Sequence, residues 1–532
     1  MNDPLEIIIS ELLKRRVRSE KELSVVKRWA SKNFRIQPPS NIDLIKFYHR
    51  LLKNGRVKKD RELEKLLRKR KIRSLSGVVV VSALTKPYPC PGDCIYCPNE
   101  KGVPKSYLSG EPAVERAKKF DFHPYWQVKK RVESLENQGH PTDKIELRII
   151  GGSFTSLPQR YKVWFLKNCF GAANYRSLDK IATLEKEQSL NEKARHRIVG
   201  VSIETRPDLI NEREIKKLRG LGVTMVEIGV QTIFDEILRR CQRKHGVRET
   251  INATKLLKDS GFKVMYQMMP NLPYSTPSKD LQAFKEVFQK EDFKPDWLKI
   301  YPCLVCDGTK LYQLWKKGLY KPYSDKILIN LLIEIKKNLP CWVRLARVFR
   351  DIPATLIEAG SKISNLREIV QREMAKSNFE CRCIRCREVR ENYNPQEKIH
   401  LFREDFNASG GKEIFLSFEN KGRTKLFSFL RLRLTSPLFS KKKHFIVSLN
   451  KASLIREIHT YGEMVPIKKR AKAPQHQGLG KRLVKLAENI TKKDFRLSKI
   501  AVISGIGTRV YWKKLGYKLK DTYMLKRLTT RN

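Results

Sequence analysis

Hydrophobic and polar positions follow two different rhythms along the 532-residue chain. From Gly77 to roughly Ser361, short apolar stretches alternate with amphipathic segments of helical period. This rhythm is typical of strands that each lead into a helix, and it predicts a parallel α/β barrel or partial barrel whose strand ends carry the chemistry. The predicted strands are residues 78–84, 145–150, 198–203, 225–230, 263–269 and 297–301.

From about residue 393 the rhythm predicts antiparallel strands around two helices, which is an α+β domain. The predicted strands are residues 414–418, 426–434, 445–449, 452–461 and 500–504. The first 75 residues read as basic helices that could grip RNA or form a solvated face. We therefore expect a basic helical region at 1–75, a barrel domain at 76–370, a short cysteine-bearing linker at 371–392 and an α+β domain at 393–532.

Charge narrows the class of partner. The formal net charge is +54, and self-repulsion of that size is most easily tolerated with a polyanion bound. Nucleic acid is the first candidate, and a merely solvated basic surface is the alternative. The chain shows neither an amino-terminal apolar segment of the secretory kind nor an apolar run of membrane-spanning length. We expect a cytoplasmic protein that makes no use of a membrane.

A cysteine loop follows the first predicted strand. Cys90, Cys94 and Cys97 have the spacing C-x-x-x-C-x-x-C, and three thiolates so placed can hold a 4Fe-4S cluster and leave its fourth iron open to a small molecule. A zinc knuckle or reduced buried cysteines are the alternatives, but the run supplies only three ligands. With Tyr96 between the second and third cysteines, the loop resembles that of radical S-adenosylmethionine (AdoMet) enzymes.

A second cysteine cluster lies in the linker. Cys381, Cys383 and Cys386 cannot all face one core, so they favour structural zinc over a redox or incidental cluster. The fourth ligand must come from elsewhere in the fold. Cys306 is the first choice, with Cys303 and His400 behind it.

A glycine-rich turn opens the main helix of the last domain. The run from Gln475 to Leu483 has the spacing Q-x-x-G-x-G, which lets the backbone approach a pyrophosphate at a helix start. We predict acyl-coenzyme A as the ligand, with an ordinary loop-to-helix junction as the alternative. A later strand and helix, ending in aromatic, Lys, Leu, Gly and Tyr, make this domain resemble the GNAT acetyltransferase superfamily.

The two halves together resemble the family of the catalytic subunit of Elongator, elongator protein three, over nearly the whole chain. The matching segments are residues 73–78, 150–154, 202–208, 227–232, 268–273, 385–388 and 456–462. The resemblance implies carboxymethylation of the tRNA wobble uridine at carbon five, with acetyl-CoA and AdoMet. A 5'-deoxyadenosyl radical would take a hydrogen from the acetyl methyl, the carbon radical would add to the uracil, and thioester hydrolysis would leave the carboxymethyl group.

The resemblance also implies site residues. Contacts to acetyl-CoA would fall on Lys144, Glu457, Ile458, His459, Thr460, Gln477, Gly478, Leu479, Gly480, Lys481, Tyr511 and Trp512. Contacts to AdoMet would fall on Gly151, Gly152, Glu204 and Gln231. Surface exposure is the alternative for Lys144, and buried hydrogen bonding is the alternative for Glu204 and Gln231. Trp512 stands where the family has a tyrosine, which puts any role for that hydroxyl in doubt.

Two rival functions remain open at this stage. One is a protein lysine acetyltransferase with a structural iron-sulfur domain, although a +54 chain would repel a basic peptide. The other is a tRNA-binding scaffold, which would have no use for an open iron. The resemblance further implies partner proteins like those of Elongator, or self-association, and the sequence does not choose between them.

Overall fold

The computed structural model describes residues 3–69, 74–390, 394, 396–462 and 478–528. Its strands are β1 (Val79–Leu84), β2 (Lys144–Ile150), β3 (Arg197–Thr205), β4 (Met225–Gln231), β5 (Lys263–Met268), β6 (Trp297–Ile300), β7 (Arg344–Arg347), β8 (His400–Ala408), β9 (Gly411–Glu419), β10 (Leu426–Leu434), β11 (Ser453–Thr460), β12 (Lys499–Val502), β13 (Lys518–Lys520) and β14 (Tyr523–Arg527).

Its helices are α1 (Pro4–Lys14), α2 (Glu20–Phe34), α3 (Asn41–Lys53), α4 (Arg61–Leu67), α5 (Pro112–Lys118), α6 (Pro124–Glu136), α7 (Gln159–Ala173), α8 (Leu184–Asn191), α9 (Glu212–Gly220), α10 (Asp235–Arg240), α11 (Val247–Asp259), α12 (Pro277–Gln289), α13 (Lys310–Lys316), α14 (Asp325–Lys337), α15 (Leu366–Lys376), α16 (Ile384–Arg387), α17 (Ser436–Phe439), α18 (Leu479–Lys493) and α19 (Arg509–Lys514). Across the described segments, no helix is both long and apolar enough to cross a lipid bilayer.

The amino-terminal region is helical, as predicted. Helices α1 to α4 pack their apolar faces into a core of their own, which includes Ile8, Leu44 and Leu63. The start of α2 is fixed by a capping box, in which the Ser19 side chain accepts from the Glu22 amide and Glu22 reaches back to the Ser19 amide. Part of the predicted basic run, residues 70–73, lies outside the described residues.

The first sheet has seven parallel strands in the order β1-β2-β3-β4-β5-β6-β7. Because the described strands β1 and β7 are not paired with each other, the sheet is an open half-barrel, and the predicted partial barrel is confirmed. Six of its strands lie where the apolar pattern placed them. Strand β7 was missed because it is four residues long and begins and ends with arginine.

The second sheet has the order β13-β14-β12-β11-β10-β9-β8. It is mixed rather than wholly antiparallel, since β11 and β12 pair in parallel. The predicted strand at 445–449 is wrong: Val447–Leu449 is a short 3-10 turn, and its Val447 is 73% exposed. Strands β8, β13 and β14 were missed. Strands β8 and β13 bury too few side chains to show an apolar pattern.

The second sheet meets the amino ends of the half-barrel strands. His459 on β11 donates from Nε2 to the carbonyl of Ser76, just before β1, over 2.7 Å. Arg344, the first residue of β7, donates from Nη1 to the Tyr461 hydroxyl over 2.9 Å. The cysteine loop follows the carboxyl end of β1, so it lies at the opposite end of the half-barrel.

Candidate active site

One cavity of about 910 Å³ runs along the inside of the half-barrel. Cys90, Cys94 and Cys97 line it near the carboxyl ends of the strands, and His459 and Tyr461 line it near the amino ends. A seven-residue strand such as β2 spans roughly 23 Å, at about 3.3 Å per residue. The cavity therefore joins the cysteine loop to the second sheet through the length of the half-barrel.

The cysteine loop is held by backbone hydrogen bonds from neighbouring loops. The Ile95 amide donates to the Cys241 carbonyl over 3.2 Å, and the Leu311 amide donates to the Ile95 carbonyl over 2.8 Å. Burial, followed by the neighbouring Cys94, raises the pKa of Cys97 to about 12. A buried thiol of this kind stays protonated until a metal binds to its sulfur in place of the proton, and the thiolate is then the metal ligand.

The three loop cysteines suit a cluster better than a single ion. Ligands of one metal ion lie close together, and among the described residues the three thiols within 4.8 Å of one another are those of the linker cysteines, not those of the loop. A four-iron cube is wider than an ion and needs sulfurs that are further apart. The donor set of Cys90, Cys94 and Cys97 therefore fits a 4Fe-4S cluster with one open iron.

Three buried polar atoms beside this loop have no hydrogen-bond partner among the described residues. They are the Tyr96 hydroxyl, Nη1 of Arg206 and Oε1 of Gln231, and all three side chains line the cavity. Buried polar groups are rarely left unpaired, so these atoms are suited to a polar ligand. AdoMet, which has a carboxylate, an amine and a ribose, offers groups of the matching kinds.

The position of Arg206 also accounts for the glycine at position 92 of the loop. Its Nε and Nη2 donate to the two oxygens of Asp208, each over 3.0 Å, which leaves Nη1 directed at the loop. A Cβ on Gly92 would lie 2.2 Å from that Nη1. Only glycine fits there without moving the guanidinium.

The predicted AdoMet residues all lie at carboxyl ends of half-barrel strands. Gly151 and Gly152 follow β2. Gly151 has φ +125°, and a Cβ on it would lie 2.2 Å from Thr85 Oγ1. Glu204 is near the end of β3 and accepts from the Tyr107 hydroxyl over 2.8 Å. Burial raises the pKa of Glu204. Gln231 ends β4 with φ +72°.

The middle of the cavity is charged. Lys299 pairs closely with Glu227 and lies 3.7 Å from Glu204, and Arg148 pairs with Glu146 over 3.0 Å. Burial alone would raise the pKa of Glu146, but Arg148 and other cations outweigh it and lower the pKa to about 2. The lumen is therefore lined by paired charges rather than by a dry apolar core.

The predicted acetyl-CoA residues meet on the second sheet. Helix α18 begins at Leu479, after Gly478 in the left-handed conformation at φ +76°. A Cβ on Gly480 would lie 3.4 Å from the Tyr511 hydroxyl, 3.7 Å from Ile458 Cδ1 and 3.8 Å from Thr460 Oγ1. The turn, the strand and Tyr511 thus form one group, which Lys481 in the first turn of α18 extends.

Strand β11 separates from its neighbour β12 part of the way along its length. It pairs with β12 only from Ser453 to Ile455, while its pairing with β10 continues to Thr460. The pairing of β11 with β12 therefore ends at Ile455. The Glu457 side chain points elsewhere and pairs with Arg431 over 2.9 Å.

Lys144 and His459 lie where the half-barrel meets the second sheet. Lys144 is the first residue of β2, and burial lowers its pKa to about 8. Burial also lowers the pKa of His459, whose ring is 4.4 Å from the Tyr461 ring. Both groups are therefore at the amino-terminal mouth of the cavity or near it.

One of the predicted acetyl-CoA contacts, Trp512, faces the core rather than the glycine turn. Trp512 is 2% exposed and packs against Tyr517 in the main core, so helix α19 turns Tyr511 and not Trp512 towards the turn. Gln477 lies outside the described residues.

The linker cysteines converge. The thiols of Cys381, Cys383 and Cys386 all lie within 4.8 Å of one another, which fits a metal site. Cys306 is not in this group. It packs with Leu304, Ile352 and Ile357, so the prediction of Cys306 as the fourth ligand is not supported.

Sequence reasoning missed several cavity residues, namely Tyr107, Arg206, Arg243 and Lys299. Lys299 carried a usable signal, because a lysine between apolar residues of a predicted strand must face a polar interior or another charge. Arg243 carried none, since its neighbours in sequence are polar and basic.

Comparison with known proteins agrees with this architecture. The family model of the radical SAM superfamily matches residues 88–286, and the model of the radical SAM C-terminal domain matches residues 295–376. A "tRNA uridine(34) acetyltransferase" of Methanocaldococcus infernus is 44% identical, over 98% of this chain and 98% of that protein. The "Elongator complex protein 3" of Saccharomyces cerevisiae is 39% identical, over 87% of this chain and 85% of that protein.

A solved structure matches as well. The archaeal Methanocaldococcus infernus Elp3 with an amino-terminal deletion (1-46) superposes with a TM-score of 0.75 at 45% sequence identity. The match covers 85% of this chain and all of that one. The half-barrel and the second sheet are therefore a shared architecture.

Proposed function

The chain belongs to the family of the tRNA uridine(34) acetyltransferases and Elongator complex protein 3, and on that premise we propose that it is a radical AdoMet enzyme that carboxymethylates the wobble uridine of tRNA. The group would be added at carbon five, with acetyl-CoA as its source. The observation that supports this most strongly is the single cavity that runs from the cysteine loop to His459 and Tyr461 on the second sheet.

Cys90, Cys94 and Cys97 would hold the 4Fe-4S cluster. When bound, the cluster supplies the electron that cleaves AdoMet to methionine and a 5'-deoxyadenosyl radical. The chain's own residues would position the AdoMet. Nη1 of Arg206 suits its carboxylate, Oε1 of Gln231 suits an amine or ribose hydroxyl, and Gly151 and Gly152 let backbone groups approach.

Acetyl-CoA would bind on the second sheet. The exposed amides at the start of α18, with Lys481, suit the pyrophosphate. The edge of β11 beyond Ile455, where its pairing with β12 has ended, suits the pantetheine amides, which would bind there as an added strand does. That edge leads towards His459 at the amino-terminal mouth of the cavity, and Lys144 lies where the half-barrel meets this sheet. The acetyl group would then enter the half-barrel from the end opposite the cysteine loop.

Charge and the open side of the half-barrel support RNA as the acceptor. Arginines line the cavity near β7 and on the segments that follow it, including Arg347, Arg367, Arg385 and Arg390. Guanidinium groups pair well with phosphates. A base turned out of its stack could enter through the gap between β1 and β7 while its backbone stays on these arginines.

The experiment is an anaerobic reaction of the reconstituted protein with AdoMet, labelled acetyl-CoA, a reductant and tRNA, followed by mass spectrometry of the nucleosides. We expect labelled 5-carboxymethyluridine from the wild type and none from Cys94→Ser. Absence of this nucleoside with the wild type, while acetyl-CoA turnover is the same in Cys94→Ser, would overturn the proposal. Label on lysines of a protein substrate instead would favour the acetyltransferase reading.

A further inference from the structure

A second buried arginine lies against the cysteine loop. Arg243 follows helix α10 and is 8% exposed. Its Nη1 donates to Cys94 Sγ over 3.3 Å, and its Nη2 donates to the Gly229 carbonyl at the end of β4. The guanidinium therefore joins a predicted cluster ligand to the wall of the half-barrel.

Arg243 lacks the usual partner of a buried arginine. Within the described chain, its polar partners are a sulfur, a carbonyl and an imidazole nitrogen, and none is a carboxylate. Arg206, on the other side of the loop, is paired with Asp208. A buried charge without a counter-ion is costly. Of these described partners, Cys94 is the one that can carry a negative charge at neutral pH, as the thiolate of a metal ligand.

His245 fixes the orientation of this guanidinium. Arg243 Nε donates to His245 Nε2 over 2.8 Å, so that ring nitrogen must be unprotonated. The other ring nitrogen, Nδ1, lies 3.3 Å from the Gly246 carbonyl and can donate to it. Burial, with Arg243 itself, lowers the pKa of His245 to about 4, so the ring is neutral across the physiological range. A neutral ring is the form that accepts from Arg243.

We propose that Arg243, held by His245, is a positioning residue that donates a charge-assisted hydrogen bond to the Cys94 thiolate and raises the reduction potential of the cluster. The inference rests on the proposed function, because it needs the cluster. Three thiolates and a four-iron core of charge +2 sum to −1, and uptake of one electron from an external low-potential donor takes the sum to −2. A fixed positive charge stabilises the reduced state, of charge −2, more than the oxidised state, and therefore raises the reduction potential. Hydrogen bonds to cluster sulfurs are known to set such potentials.

The test is a potentiometric titration of the reconstituted full chain, without AdoMet, in which electron paramagnetic resonance reports the reduced cluster and iron and sulfide are assayed in parallel. The variants are Arg243→Gln, Arg243→Lys and His245→Leu. The matched control is Arg240→Gln, since Arg240 lies nearby on α10 but is exposed and pairs with Glu236 over 3.5 Å.

At the potential where half of the wild-type cluster is reduced, we expect the ratio of reduced to oxidised cluster to fall about tenfold in Arg243→Gln, which corresponds to about 59 mV for one electron. Arg243→Lys keeps the charge and should shift less. His245→Leu should shift in the same direction by a smaller amount, because the guanidinium loses its acceptor. Arg240→Gln should match the wild type.

An Arg243→Gln protein with full iron content and the wild-type potential would overturn the inference. If Arg243→Gln fails to fold or to take up iron, Arg243→Lys and His245→Leu decide, and wild-type potentials in both would overturn it. A wild type that binds no four-iron cluster defeats the proposed function as well, and the iron assay identifies that case.

Discussion

Two buried regions of this protein are rich in charged side chains, and they differ in how far the chain itself supplies partners for them. At the interface of the two sheets, Asp296 pairs with Arg456 over 2.5 Å, and Glu413 pairs with Arg456 over 2.8 Å and with Arg433 over 3.0 Å. Lys258 lies within 3.8 Å of both carboxylates. Beside the cysteine loop, by contrast, Arg206 Nη1 and Gln231 Oε1 face a cavity with no described partner.

The difference separates a structural charge cluster from a functional one. Asp296 and Glu413 each meet at least two cations of the chain itself, so their charge is balanced on folding. Arg456 Nε lacks a partner among the described residues, but Arg456 does not line the cavity. The region beside the loop is incomplete until a ligand with polar groups binds. Burial and charge alone do not distinguish the two regions, whereas unpaired polar atoms on side chains that line the cavity do.

The largest expected effect comes from the loop. In Cys94→Ser the cluster loses a direct ligand. The loss of an outer-shell partner of a metal site costs up to about 100-fold in activity, so AdoMet cleavage should fall by more than that. The measurement is 5'-deoxyadenosine formed per iron bound. The interface network is untouched, so the thermal midpoint of the metal-free variant should equal that of the metal-free wild type. Normal cleavage in this variant would contradict the assignment of the loop.

The next effect is on stability. Asp296→Asn leaves Arg456 and Lys258 buried with less negative charge, and breaking a buried pair in this way costs about 3–5 kcal/mol. The free energy of unfolding, from denaturant titration, measures it. The matched control is Asp405→Asn, whose exposed pair with Arg403 should be worth at most about 1 kcal/mol. Equal losses in the two variants would remove the distinction between the interface and an ordinary surface pair.

Lys144 begins β2, at the end of the half-barrel that meets the second sheet, and it should show a pH dependence. Burial lowers its pKa to about 8, so its positive charge is present at about pH 7 and is mostly lost by about pH 9. If the charge helps to bind acetyl-CoA, affinity should fall as the pH rises through this window. Lys144→Gln should weaken binding by about tenfold, or about 1.4 kcal/mol, and should flatten the profile.

Isothermal titration across the pH series measures the affinity. Lys130→Gln is the control, since Lys130 is exposed on α6 and pairs with Glu133. A profile that is as steep in Lys144→Gln as in the wild type would exclude Lys144 as its source.

The smallest effect should come from the linker cysteines. We expect Cys386→Ser to lose the bound metal, which elemental analysis would show as zinc in the wild type. Because the site is local, the thermal midpoint should fall by less than in Asp296→Asn, and each 1 kcal/mol lost corresponds to about 2–4 °C in a domain of this size. A loss of 5'-deoxyadenosine formation as large as that of Cys94→Ser would mean that this site is catalytic.

The sequence predicted what depends on local pattern. Apolar runs located six half-barrel strands, and the spacing of Cys90, Cys94 and Cys97 identified a cysteine loop that the structure has at a strand end. It could not predict contacts between distant segments. Arg243 and Cys94 are 149 positions apart, and Arg456 and Asp296 are 160 apart. The placement of the second sheet under the amino ends of the half-barrel depends on such contacts, and so does the cavity that joins the two regions.

In the function that we propose, a radical formed at the cysteine loop reaches the acetyl methyl of an acetyl-CoA held on the second sheet. The most direct test is the reaction with acetyl-CoA whose methyl carries three deuterium atoms, followed by mass spectrometry of the 5'-deoxyadenosine. We expect transfer of one deuterium to 5'-deoxyadenosine when tRNA is present. Turnover that yields carboxymethyluridine while the 5'-deoxyadenosine stays unlabelled would contradict it.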